Sequence, residues 1–326
     1  MSRVTIADVA RAAEVSTATV SNALNGTGRL GSTTRARVRA IAAALGYGSP
    51  AVAPALALAT TTSQSIGGSS GFRAYFARLV GAATAAAHQR GYALFALPSD
   101  FPLARWQSLP VAGALLLDRP ADDPAVHVLR DRGLPLVFDG RRTEQRPGET
   151  WIDNDYVAAT RRVLDHLAAE GARNIAVTDC PAADDDTRSC LATYRDWCAE
   201  QGVEPNVLPM AREDTEGRLL DPFLAGASRP DAVHGLCDTC GHRLLAAARR
   251  LGISVPDGLL VSCLSADPDY ARTHPTVTTV SLTPVQAAHA AVGALASLIA
   301  DPGTAHPPRL LPITLHLPRP AGPYAN

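Results

Sequence analysis

From residue 77 onward, short apolar runs alternate with amphipathic stretches of helical spacing, and this alternation restricts the fold more than any other property of the sequence. The runs are Ala93–Leu97, Ala112–Leu117, Leu134–Phe138, Ile175–Thr178 and Leu259–Cys263; the helical stretches between them include 76–90, 157–169, 189–201, 241–251 and 284–300. Strand-like runs separated by helices predict parallel α/β sheets covered on both faces. In such sheets ligands sit at the carboxyl ends of the strands. A chain of 326 residues is long enough for a small head followed by a core of two such lobes.

The first 48 residues have a different character. They hold six arginines (Arg3, Arg11, Arg29, Arg35, Arg37, Arg39) against two acids (Asp8, Glu14), whereas the remaining chain is net acidic. A basic head on an acidic body is the electrostatic footprint of a nucleic-acid reader. Ile6, Val9, Ala10 and Ala13 fall at helical spacing, with Thr5 placed to cap the helix and Asp8 near its positive end. Glu14-Val15-Ser16 breaks the pattern, and a second helix starts at Thr17. Val20 and Leu24 point inward, leaving Thr17, Ala18, Ser21 and Asn22 outside. A third helix is expected over Ser32–Leu45, ended by Gly46. Two short helices joined by a tight turn make a helix-turn-helix, and a small hydroxylic face with one amide suits reading base edges in a major groove. Arginines and helix N-termini would hold phosphates.

No secretory leader or membrane-spanning run is legible. The six cysteines (Cys180, Cys190, Cys198, Cys237, Cys240, Cys263) all lie in the second half, a distribution expected of reduced thiols in a cytoplasmic protein.

Residues Val4–Asn25, VTIADVARAAEVSTATVSNALN, resemble the start of the lactose-repressor (LacI/GalR) family of bacterial transcriptional regulators. The resemblance continues through DNDYVAATRRVLDHLAAEGARNIAV (153–177), RPDAVHGLCDTCGHRLLAAARRLGISVPDGLLVS (229–262) and HPTVTTVSLTP (274–284). It implies a three-helix head (1–48), a hinge (49–65) and a periplasmic-binding-protein-like core of two Rossmann-like α/β lobes (66–326) that binds a small-molecule effector and dimerises. It also implies that Thr17, Ala18 and Asn22 read bases, while Ser16, Thr19 and Ser21 lie against the backbone, with Thr5 and Arg35 joining the DNA contacts. In the hinge, aligned without gaps from Tyr47, Leu56 takes the place of a leucine wedged into the minor groove, with Ala53 beside it. Pro50 and Pro54 depart from the family pattern and predict a shorter or weaker hinge helix. The Gly-rich stretch 66–71 stands where the first core strand is expected, so that strand reads as truncated.

Carried onto the core, the resemblance makes Asp155 and Asp238 cleft residues, with Arg188 and Tyr75 as further candidates. Cys190 and Ser265 stand where the family commonly has a clamping arginine and an aspartate, so a standard charged sugar pocket is not expected. The reading is a homodimeric repressor on a pseudo-palindromic operator, modulated by a sugar or other metabolite, with no cofactor, no metal and no membrane partner. The alternative is a small-molecule sensor whose specific DNA binding has weakened. His234, Cys237, Cys240 and His242 have metal-like spacing, but two thiols at a strand-to-helix junction also suit a core. A thiol- or metal-responsive regulator is therefore a third reading. Asp184-Asp185-Asp186 reads as a solvated loop with a helix cap, and no catalytic motif is present.

Overall fold

Val9, Ala10, Ala13, Val20, Ala23, Val38 and Ala42 close into the core of the head in the computed structural model. The chain divides into two units, Met1–Ala53 and Pro54–Asn326. The structure describes residues 4–25, 30–45, 47, 53–60, 70–117, 119, 122–179, 185–211, 213–303 and 305–318. In the head, α1 (Ile6–Ala12), α2 (Thr17–Asn25) and α3 (Ser32–Ala44) pack on one another. Thr5 and Asp8 form a reciprocal capping box that satisfies two N–H groups at the start of α1. The turn to α2 passes through Glu14 at φ 51°, a left-handed conformation that costs a non-glycine residue some strain. From α3, Arg37 donates to the Ala13 carbonyl and Arg39 to the Ala23 carbonyl, at 3.3 and 3.2 Å. Both carbonyls lie toward the carboxyl ends of helices, where a cation is favoured. These two arginines thus brace the head, where the sequence suggested phosphate contacts.

The second unit contains β1 (Ala55–Thr60), α4 (Ser70–Gln89), β2 (Ala93–Ala96), α5 (Leu103–Trp106), β3 (Gly113–Leu117), α6 (Pro124–Asp131), β4 (Leu136–Asp139) and β5 (Glu149–Asn154). There follow α7 (Tyr156–Ala169), β6 (Ile175–Asp179), α8 (Asp185–Gln201), β7 (Asn206–Pro209), α9 (Asp221–Ala225), β8 (Ala232–Gly235) and α10 (Asp238–Arg250). The chain then runs through β9 (Leu260–Ser265), α11 (Tyr270–Thr273), β10 (Thr278–Ser281), α12 (Pro284–Ala300), β11 (Arg309–Leu311) and β12 (Thr314–His316). The strands form two six-stranded sheets, ordered β11-β5-β4-β3-β1-β2 and β12-β10-β9-β8-β6-β7. Every pairing is parallel except β10 with β12. Each sheet is the centre of one lobe, and the chain passes between lobes three times: after β5, after β10 and between β11 and β12. In the first lobe α4 and α12 pack on one face of the sheet while Trp106, Val126 and Leu129 fill the other. The second lobe packs the same way, with Tyr194 and Trp197 on one face and Leu220, Leu244 and Tyr270 on the other.

The first strand corrects two expectations. Residues 66–69, most of the stretch read as a truncated first strand, lie outside the described residues, and residues 70–71 open α4; the first described strand is β1, inside the segment read as a hinge. All six residues of β1 are buried, and it is hydrogen-bonded to β2 on one side and β3 on the other. Leu56 and Leu58 pack toward α4 and α12, while Ala55, Ala57 and Ala59 lie in the cluster around Trp106 on the opposite face. Leu56 is 0% exposed, so it is a core residue and not a wedge for DNA. Ala53 is exposed just before the strand.

At the other side of the first lobe, β5 begins at Glu149, whose carboxylate takes two hydrogen bonds from Arg130, at 2.6 and 2.9 Å. It ends on Asp153 and Asn154, both buried. Burial raises the Asp153 carboxyl from 3.8 to about 7, against the opposing pull of the Asn154 N–H and the Arg141 charge.

Truncating Leu56 to alanine should lower the unfolding free energy by ~2–5 kcal/mol in urea titrations. The ratio of specific to non-specific DNA affinity should stay as it is. Full stability with lost specificity would contradict the burial of this side chain. For Asp153, the folded chain holds a proton that the unfolded chain releases between the ordinary carboxyl range and about 7, so folding stability falls as pH rises through that window. Asp153→Asn removes that fall. Its stability relative to the unaltered protein should therefore increase from about pH 5 to about pH 8, and a pH-independent difference would refute the raised carboxyl.

Candidate functional site

Two surfaces carry chemistry, one on the head and one between the lobes. On the head, Ser16 caps α2: its Oγ accepts the Thr19 N–H at 3.1 Å and lies 2.9 Å from Thr19 Oγ1. Val20 and Ala23 face the head core, which turns Thr17 and Ala18 fully outward. Thr19, Ser21 and Asn22 are half-buried along the flanks. Thr5 is exposed at the start of α1, and Arg35 is half-buried on α3. The outward face is therefore a hydroxyl and a methyl, flanked by further hydroxyls and an amide. These groups can hydrogen-bond base edges or contact a thymine methyl.

Between the lobes, the carboxyl ends of the central strands converge where the chain crosses. Asn154, at the end of β5, is 1% exposed, and its Oδ1 accepts from both the backbone N–H and Oγ1 of Thr283, at 3.3 and 3.1 Å. Its Nδ2 donates to Tyr75 Oη at 3.3 Å, and Tyr75 in turn donates to Asp139 Oδ1 at 3.3 Å. One amide thereby ties the first crossover to the second and fixes the tyrosine. The third crossover joins them through the Asp155 N–H, which donates to the Leu311 carbonyl at 2.9 Å. Burial, with the adjacent Asp139 charge, pushes the Tyr75 hydroxyl well up. Tyr156 is raised by burial and then by the charge of Asp186, which comes from the second lobe.

From that second lobe, Asp238 sits in the first turn of α10, and no hydrogen bond reaches its Oδ1. Burial raises its carboxyl, with Ser265 and the Ala266 backbone pulling the other way. Ser265 shapes the turn after β9, since its Oγ accepts the Asp267 N–H at 3.0 Å. Asp267 then reaches across to Arg78 of α4 at 3.3 Å, an ion pair that links the two lobes. Both partners are some 40% exposed, so the pair contributes little on its own, ~0–1 kcal/mol.

The residues expected from the sequence are only partly brought together. Tyr75 belongs to the Asn154 network and Asp238 lies in the α10 turn, while Asp155 caps α7, its Oδ1 accepting the Ala158 N–H at 3.2 Å. Arg188 is exposed on α8. Cys190, two residues further, is 1% exposed among Tyr194, Trp197 and Leu264, so it is a core thiol where the family resemblance implied a clamp. Asp139, Asn154, Thr283, Arg78 and Asp267 were not singled out from the sequence. For Asn154 and Thr283 the only signal was position, where the chain changes lobe; Asp139 and Asp267 lie at or just after the ends of β4 and β9, and Arg78 lies within α4. Among the described residues no group of three or more His, Cys, Asp or Glu side chains is placed to hold a metal, and no helix is long and apolar enough to cross a membrane.

Comparison with known proteins agrees with this two-part architecture. Residues 5–49 match the model of bacterial regulatory proteins of the lacI family, and residues 164–317 match a periplasmic binding protein-like domain. Catabolite control protein A of Staphylococcus xylosus is 24% identical over 267 residues, covering 79% of this chain and 81% of that protein. The HTH-type transcriptional repressor PurR of Salmonella paratyphi B is 28% identical over 270 residues, covering 79% of each. Among solved structures, the lac repressor dimer bound to operator and the anti-inducer ONPF superposes with a TM-score of 0.69 at 20% identity, over 96% of this chain and 98% of that one. The transcriptional regulator CelR–cellobiose complex gives 0.66 at 24% identity, over 97% and 99%. At such identities the structural likeness speaks to the fold alone. The chain thus joins a DNA-binding head of the lacI family of bacterial regulatory proteins to a periplasmic-binding-protein-like core, and is similar over most of its length to regulators built in the same way.

Proposed function

We propose that this protein is a cytoplasmic, sequence-specific transcriptional repressor that binds a two-fold symmetric operator as a homodimer and responds to a small-molecule effector held between its lobes. The observation that carries this reading is the exposed face of α2. Thr17 and Ala18 stand outward, Asn22 lies on the flank, and Val20 and Ala23 anchor the helix from behind. Thr17, Ala18 and Asn22 contact bases; Ser16, Thr19, Ser21, Thr5 and Arg35 contact phosphates. Two heads related by a two-fold axis would sit on half-sites roughly one helical turn apart. No catalytic role is assigned.

Part of the segment that the family resemblance makes a hinge is a core strand in this chain. Tyr47 packs on the head core and β1 starts at Ala55. With Leu56 committed to β1, specificity rests on the major groove. In the core, Tyr75, Asp155, Arg188 and Asp238 are the effector candidates, and Ser265 acts by shaping the turn beside Asp238. An effector shifts DNA affinity only if it prefers one arrangement of the lobes. The crossover clasp at Asn154 and the Arg78–Asp267 pair are the contacts that such a preference would act on.

Selection of DNA sequences by the purified full-length chain at physiological salt, followed by titration on the winning site, tests the proposal. A two-fold symmetric site with Kd about 10⁻⁸ M or tighter is expected. Arg35→Ala should lower the salt slope of binding by ~1 and weaken all sequences alike. Arg37→Ala and Arg39→Ala should act first by loosening the head, visible in its thermal unfolding. Binding without sequence preference would instead leave a ligand sensor that has lost its operator.

A further inference from the structure

Cys237 and Cys240 bracket the first turn of α10, and their sulfurs lie 2.7 Å apart, closer than two unbonded sulfur atoms ordinarily rest. Cys237 is the N-cap of this 13-residue helix, and its Sγ accepts the Cys240 N–H at 3.3 Å. Two cysteines with two residues between them at a helix N-terminus are placed for dithiol–disulfide chemistry. The turn is also held firmly from behind. A Cβ on Gly241 would collide with Tyr270 Oη and come within 2.9 Å of Cys263 Sγ, so α10 packs too closely on β9 for a larger residue.

The remaining described cysteines do not share this setting. Cys190 and Cys198 are buried in the second-lobe core, and burial pushes the Cys198 and Cys263 thiols up. Cys237 is half-buried, so a small oxidant can reach it. The neighbouring His234 is fully buried and pairs with Ser262 at 2.9 Å, and burial pulls its ring down to about 4. It is therefore a neutral core residue.

We propose that Cys237 and Cys240 form a reversible dithiol–disulfide centre in the first turn of α10, oxidised by hydrogen peroxide and reset by a dithiol. Cys237 Sγ attacks a peroxide oxygen, the O–O bond breaks, and one water leaves as a sulfenic acid forms. Cys240 Sγ then displaces the hydroxyl, forming the S–S bond and releasing a second water that carries its thiol proton. A dithiol reductant returns two electrons and two protons by exchange through a mixed disulfide. Asp238 lies between the two cysteines in the sequence, 7% exposed and with no hydrogen bond to its Oδ1, so the bond forms within the turn that holds this carboxylate. The centre depends only on these sulfurs and stands whether or not the protein binds an operator.

The test treats the folded full-length protein with stoichiometric hydrogen peroxide, alkylates the remaining thiols and maps the peptides by mass spectrometry. Two alkylatable thiols per chain should be lost, both in the peptide holding Cys237 and Cys240, and dithiothreitol should restore them. Cys237→Ser should abolish the loss, and Cys240→Ser should reduce it to the single thiol of Cys237, held as a sulfenic acid with no disulfide formed, whereas serine at Cys180, Cys190, Cys198 or Cys263 should leave it intact. Because the mapping is done on the unaltered protein, it does not depend on any variant folding. If both thiols stay alkylatable after peroxide, or if either pairs with a different cysteine or a second chain, the proposal is overturned.

Discussion

The burial of β1 in the middle of the first sheet is the constraint on which the rest of this molecule depends. Its six residues are hydrogen-bonded on both edges and covered on both faces, with leucines toward α4 and α12 and alanines toward the cluster around Trp106. A segment held in this way cannot also leave the core to form a hinge helix. Withdrawing it would expose two leucines, at ~1.5–3 kcal/mol each, and break two ladders at once. The same strand therefore begins the core unit.

A second constraint acts where the lobes meet. The three crossovers are joined by side-chain and backbone hydrogen bonds: Asn154 accepts from Thr283, and the Asp155 N–H donates to Leu311. Asn154 also orients Tyr75, which donates to Asp139. Loss of one buried partner in such a network leaves others unsatisfied, at ~1–3 kcal/mol per group. The lobes are thus held at a hub of polar groups next to the space where a ligand would bind, while the exposed Arg78–Asp267 pair links them more weakly further out. A strong hub and a weak outer link suit a core in which ligand contacts alter the lobe arrangement without separating the lobes.

Much of this was legible in the sequence, because long apolar runs between amphipathic helices have few other solutions. The segments 93–97, 112–117, 134–138, 175–178 and 259–263 all became strands, within a residue or two at each end. Strand β1 was missed because Ala-Leu-Ala-Leu-Ala-Thr follows Pro54 and aligns from Tyr47 with a hinge. A six-residue apolar run has no periodicity that separates a buried strand from a helix segment. Strand β5 escaped notice because its last two residues, Asp153 and Asn154, are polar for the sake of the site they form. The site was only half readable for a similar reason. Tyr75 and Asp238 could be placed by resemblance, but Asn154 and Thr283 matter through a contact spanning 129 residues, which no local pattern records. At position 190, where the resemblance implied a charged clamp, a small apolar thiol lies in the core beside Tyr194. Likewise Arg37 and Arg39 look like phosphate ligands until the fold brings carbonyls of Ala13 and Ala23 within their reach.

The most direct test of the β1 assignment is amide hydrogen exchange over residues 55–60 in the full-length protein, measured with and without operator-length DNA. A strand paired on both sides should exchange slowly in both states, at rates close to those of β3. Rapid exchange in the free protein, with protection gained only on DNA, would mean that this segment folds on the duplex as a hinge, and the proposed division between head and core would be wrong.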